Sequence, residues 1–95
     1  MNTIKFNNTE FELESYNRNT YFNGETISSS AGCGIIAANI TEIDALTEST
    51  ITSLQIYHDN ELIYDLQNID AHVSSISEYL NTDRINITIN IEFNI

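Results

Sequence analysis

The last twelve residues, R-I-N-I-T-I-N-I-E-F-N-I, alternate apolar and polar side chains without a break. Ile85, Ile87, Ile89, Ile91, Phe93 and Ile95 fall on one side; Arg84, Asn86, Thr88, Asn90, Glu92 and Asn94 fall on the other. A helix repeats every 3.6 residues and a strand every two, so only a strand with one dry and one wet face fits this pattern. Such a strand needs a core or a partner to cover its six apolar side chains. At about 3.4 Å per residue the segment reaches roughly 40 Å. That is long for a chain of 95 residues. Its far end, Phe93 and Ile95, is therefore a candidate contact with a neighbouring subunit.

The same alternation recurs upstream. Ile4 and Phe6 open a short strand, and Asn7-Asn8 tolerates a tight turn. Residues 9–16 then place Phe11 and Leu13 opposite Glu10, Glu12 and Glu14. Asn17, Arg18, Asn19 and Thr20 are all polar and read as a turn or bulge, and Asn23-Gly24 is the strongest hairpin signal. In residues 25–38, Ile27, Ser29, Ala31, Cys33 and Ile35 share a face, but the small residues S-S-S-A-G-C-G fill the middle. That composition suits a strand closely approached by another element, or a flexible loop. Thr41 and Asp44 have capping-box spacing, which predicts one short helix over residues 41–49 before the β-branched Thr50-Ile51-Thr52. Leu54 and Ile56 begin another strand, Asp59-Asn60-Glu61 turns it, and residues 62–66 return. Residues 69–80 change phase near Ser74-Ser75, which implies a bulge or a switch to helix. The expected fold is mainly β (α+β): one domain over residues 1–95, with about six largely antiparallel strands and one short helix. The sequence shows no internal repeat. The expected core is Phe6, Phe11, Leu13, Leu54, Ile56, Ile85, Ile87, Ile89 and Ile91.

Charge narrows the partners. Fourteen carboxylates face only Lys5, Arg18 and Arg84, a net charge of −11. With no basic patch to neutralise phosphates, direct binding to nucleic acid or to an anionic membrane is not expected. No apolar run is long enough to span a membrane, and the opening M-N-T-I-K-F carries no targeting signal, so synthesis and folding in a cytosol is the default expectation.

Catalytic and metal chemistry find little support. Cys33, His72 and Asp70 are a conceivable nucleophile, base and orienter, but an acidic field opposes thiolate formation, and a small buried thiol is the commoner role. His58, Asp59 and Glu61, or Asp70 with His72, lack a recognised ligand spacing, and Asp59-Asn60-Glu61 lacks the glycine and distal glutamate of a calcium loop. Gly32-Cys33-Gly34 lacks the lysine and spacing of a phosphate cradle. The chain reads as a non-enzyme with no metal and no cofactor.

Two surfaces remain as candidate interaction sites. Glu10, Glu12 and Glu14 project from one strand face about 6.8 Å apart, twice the strand rise. That spacing is close to the phosphate repeat of a nucleic-acid strand. The ladder could enter a basic groove, or it could simply be the solvated face that keeps a strand edge from aggregating. The other candidate is the Phe93 and Ile95 end.

The stretches F-E-L-E-S-Y-N-R at 11–18 and I-S-E-Y-L-N-T-D-R-I-N-I at 76–87, set in an Asn-, Ile- and Thr-rich acidic chain, resemble the small proteins of tailed bacteriophages. The resemblance lies in overall texture and carries over no functional residue. It implies either a virion component that packs against other subunits, as an oligomer or with other proteins, or an acidic inhibitor of host defence of the anti-CRISPR type, some of which mimic nucleic acid. The first is the leading expectation, and the location that the resemblance implies is a virion or a host cytoplasm.

Overall fold

A computed structural model of the chain describes residues 1–36, 40–81 and 84–93. It contains six strands and one helix in the order β1 (Asn2–Phe6), β2 (Thr9–Asn23), β3 (Thr26–Ile36), α1 (Ile40–Leu46), β4 (Ile51–His58), β5 (Glu61–Asn81) and β6 (Arg84–Phe93). All strand pairs are antiparallel, and the sheet closes into a barrel in the order β1-β2-β3-β6-β5-β4, with β4 returning to β1. The mainly β fold with one short helix is thus as expected from the sequence.

Among the described residues, three hairpin turns set the register. Asp59 and Asn60 both take positive φ, 47° and 70°, as a two-residue turn matched to strand twist requires. Asn7 takes φ 56° between β1 and β2. Its side chain then ties this turn to the start of β4: Nδ2 donates to the Thr50 carbonyl at 3.2 Å, and Oδ1 accepts from the Thr52 and Ser53 amides at 2.9 and 3.3 Å. In the β2–β3 hairpin, Asn23 pairs with Thr26, so the turn centres on Gly24-Glu25, one residue later than Asn23-Gly24. Gly24, at φ 64°, is the first central residue, where a type II′ turn needs glycine.

The interior is filled by alternate residues of every strand. Ile4, Phe6, Phe11, Leu13, Leu54, Ile56, Ile87, Ile89 and Ile91 are buried, with Ala31, Cys33 and Ile35 from β3. The Phe6 and Phe11 rings lie 6.3 Å apart, tilted by 54°. Ile43 and Leu46, three residues apart on α1, are also buried. Ala45 lines one hollow together with the β1–β2 turn residue Asn8 and with Thr9 and Glu10 at the start of β2, which places the helix at that end of the barrel. Of the expected core, Ile85 lies outside the described side chains.

Several local expectations need correction. Residues 17–20 are not a turn; they pair regularly with β3, and β2 is irregular only between Leu13 and Ser15. Polar side chains are tolerated there because that stretch lies largely in solvent. The helix ends at Leu46, with Thr47 donating its amide and hydroxyl to the Asp44 carbonyl at 3.1 and 2.7 Å. Thr41 is inside it rather than capping it. Residues 62–66 and 69–80 belong to one strand, kinked at Asn68 (φ 57°) and bulged between Val73 and Ser75. The phase change at Ser74 is that bulge. Asn86, assigned to the wet face of the last strand, is only 2% exposed, and its amide has no hydrogen-bond partner among the described residues.

The topology repeats although the sequence does not. β1-β2-β3 and β4-β5-β6 are both three-stranded meanders, joined by α1. They face each other through β1–β4 and β3–β6, where Ile4 pairs with Ile56 and Ile35 with Ile87 at the same chain separation.

Candidate interaction surface

Unequal strand lengths create the exposed features. β1 pairs with β2 only from Thr9 to Glu12, and the β3–β6 pairing ends at Ser29 opposite Phe93. Beyond these points β2 and β3 continue as a hairpin arm to the Gly24 turn. At the other end β5 and β6 run past the last β3 pairing, Ile36 with Asn86, to Asn81 opposite Arg84. The molecule is elongated as a result, 46 × 28 × 22 Å.

The β2–β3 arm presents its apolar residues to solvent. Tyr21 is 59% exposed, Phe22 76% and Ile27 47%. At its base the inner face of β2 carries Tyr16, Arg18 and Thr20 up out of the core. Tyr16 packs on Tyr64 of β5, with ring centroids 5.4 Å apart, and its hydroxyl lies 3.5 Å from that of Tyr64. Burial, helped by this contact, pushes the Tyr16 phenol well above its ordinary value. Above the tyrosine pair is an open hollow of about 360 Å³, lined by Arg18, Thr20, Ser29, Phe93 and residues 68–70. The Arg18 guanidinium lies over the Phe93 ring at 5.9 Å, a cation–π distance.

Phe93, expected at a subunit contact, is therefore half-buried in the wall of this hollow, paired with Ser29 and Ala71. Ile95 lies outside the described residues. Glu10, Glu12 and Glu14 are all exposed, but the ladder is not purely acidic. Cross-strand register sets Lys5 directly opposite Glu10 and Thr3 opposite Glu12, and Glu14 sits in the β2 irregularity. Sequence alternation places the carboxylates on one face; it cannot show which side chain of β1 stands beside them.

The catalytic grouping does not assemble. Cys33 is fully buried in the core, and burial pushes its thiol up to about 12. His72 is exposed, with Nε2 3.6 Å from Glu92. Asp59 is held below the usual carboxylate range by the Met1 ammonium, which donates a hydrogen bond to it, and by His58. Among the described residues no three His, Cys, Asp or Glu side chains converge as a metal site would require, and no helix is long and apolar enough to cross a membrane.

The arm, which residue alternation alone did not single out, exposes three large apolar side chains, Tyr21, Phe22 and Ile27. Its one sequence signal is the pair Tyr21-Phe22 beside a turn. Neither a protein-family model, a curated protein nor a solved structure matches the chain.

Proposed function

We propose that this chain is a non-enzymatic structural or assembly protein, of the kind found in the virions of tailed bacteriophages, that works by packing against other protein subunits. The carrying observation is the β2–β3 arm. It holds Tyr21, Phe22 and Ile27 in water beyond a barrel whose interior is already filled. Phe22 and Ile27 face each other across the hairpin and steady it only modestly, whereas aromatic side chains are enriched where proteins meet. Such contacts bury apolar surface and persist in salt.

The second reading, an acidic inhibitor that occupies a basic groove of a host protein, is favoured by the exposure of Glu10, Glu12 and Glu14. The neighbouring Lys5 weighs against it.

Co-expression with the proteins encoded beside it separates the two. The assembly reading expects a complex that survives moderate salt. Glu10, Glu12 and Glu14 changed together to Gln should leave binding within about threefold, since exposed charges are each worth about 0 to 1 kcal/mol. Tyr21→Ser with Phe22→Ser should weaken it by orders of magnitude. A complex that dissolves in salt and is lost in the Gln variant contradicts this reading and favours the inhibitor.

A further inference from the structure

The β2 edge deepens the assembly reading and rests on it. Among the described residues, the β1 side of β2 has no strand partner from residue 13 onward, and residues 15–23 pair with β3 in unbroken register. An open edge of this kind is a template for another strand, and proteins guard such edges with Lys, Pro, bulges or a covering element. Among the described residues this edge has none of these along residues 15–23. The chain has no proline, the irregularity lies at the base of the arm, and the one charge there, Arg18, is over Phe93. The opposite open edge, residues 72–81 of β5, is guarded by the bulge at Ser74, whose hydroxyl donates to the Asn90 carbonyl, and by Glu78.

Charge favours a second copy over a basic partner. Residues 15–34 contain only Arg18 and Glu25 as charged groups, so the arm is neutral in a chain of net charge −11. A basic partner is drawn to the carboxylates of the barrel. A second copy, itself strongly acidic, can approach without opposing carboxylates along the arm.

We propose that two copies join through antiparallel pairing of their β2 edges over residues 15–23, with the twofold axis at Asn19. Directly opposed residues of an antiparallel pair share a face. This register sets Phe22 of each copy opposite Tyr16 of the other, Tyr21 opposite Asn17 and Thr20 opposite Arg18. The exposed Phe22 then covers the mouth of the hollow beside Arg18 and Phe93, and no like charges are opposed over residues 15–23. A strand edge is self-complementary under a twofold axis, and closed twofold dimers are the commonest assemblies. The result is one continuous sheet running β3-β2-β2-β3 across the dimer.

Cysteine crosslinking tests the register. With Asn19→Cys the two thiols flank the axis, and the roughly 4.5–5.5 Å between opposed Cα atoms suits a disulfide. With Asn23→Cys the two sites lie eight residues apart along the ladder, roughly 27 Å. Cys33 is buried and does not compete. Under mild oxidation, Asn19→Cys should give crosslinked dimer and Asn23→Cys essentially none. Sedimentation of the unaltered chain should show a concentration-dependent dimer, and Asn19→Asp, which opposes two carboxylates, should weaken it roughly tenfold with unchanged circular dichroism. Equal crosslinking at both positions, crosslinking at neither, or a monomer at millimolar concentration overturns the dimer. In that last case a salt-stable complex with a different protein still upholds the assembly reading.

Discussion

Ile89→Ala probes the barrel at its centre. Ile89 is fully buried, paired with Cys33 of β3 on one side and Ile76 of β5 on the other. The substitution removes three carbons, worth roughly 2.4 kcal/mol at about 0.8 each. The flanking strands are hydrogen-bonded on both sides and cannot collapse fully into the space, so the remaining cavity adds on the order of 1 kcal/mol. The expected loss is about 3 kcal/mol, a large fraction of the total stability of a domain this size. Urea unfolding followed by circular dichroism gives the measurement. Ile63→Ala, at a position 59% exposed on β5, is the control and should change stability by less than about 0.5 kcal/mol. If Ile89→Ala costs less than 0.5 kcal/mol, or if the two variants lose equal amounts, the inward face of β6 has been assigned wrongly.

Cys33 should resist thiol reagents in the native protein and react fully once unfolded. Because burial raises its thiol to about 12 from an ordinary value of 9.0, the folded state keeps a proton that the unfolded state gives up. Its contribution should therefore be constant below pH 9 and be lost as the pH rises from about 9 towards 12, a slope that unfolding at successive pH values can measure. Gly34→Ala should destabilise by only about 0.5 to 1 kcal/mol, because a Cβ there would lie 2.6 Å from the Ser15 hydroxyl, the end of an exposed side chain that turns aside. Adding Ser15→Gly should recover part of the loss, and an additive double variant would mean that the two positions do not touch. Asn86→Leu should leave thermal stability unchanged or raise it by about 1 kcal/mol, since the buried amide has no partner among the described residues. A clear drop would show that the amide is satisfied.

Period-two alternation carried most of the fold, because each strand has one face in the core. Ile87, Ile89 and Ile91 are where their spacing puts them. So is the phase change at Ser74, since a bulge flips the faces of all residues beyond it. The same rule failed for residues 17–20, where the strand has left the barrel and neither face is dry. Period-two logic has nothing to detect there, and local Asn propensity suggested a turn instead. The repeated meander was invisible because topology is preserved by pairing partners, which one sequence does not list. Burial of Asn86 was likewise missed, since alternation assigns a face of the strand and not what covers it.

The candidate site was the least legible part. Phe93 was singled out as the end of an apolar comb, but its position under Arg18 depends on β2 reaching past β1, a consequence of strand lengths that residue type does not encode. Glu10, Glu12 and Glu14 were correctly placed on an exposed face, while Lys5 beside Glu10 required the β1–β2 register. The arm became recognisable only once the end of each pairing was known.

The account turns on barrel closure by short strands that leave the long β2 edge open. Cross-strand proton contacts measured by nuclear magnetic resonance test this most directly. A contact between Ile4 and Ile56 is expected, as is one between Ala31 and Ile91, while residues 15–23 of β2 should show contacts to β3 and none to β1 or β4. Absence of the Ile4–Ile56 contact, or β1 found alongside residues 15–23, would contradict the closed barrel and remove the open edge on which the proposed assembly depends.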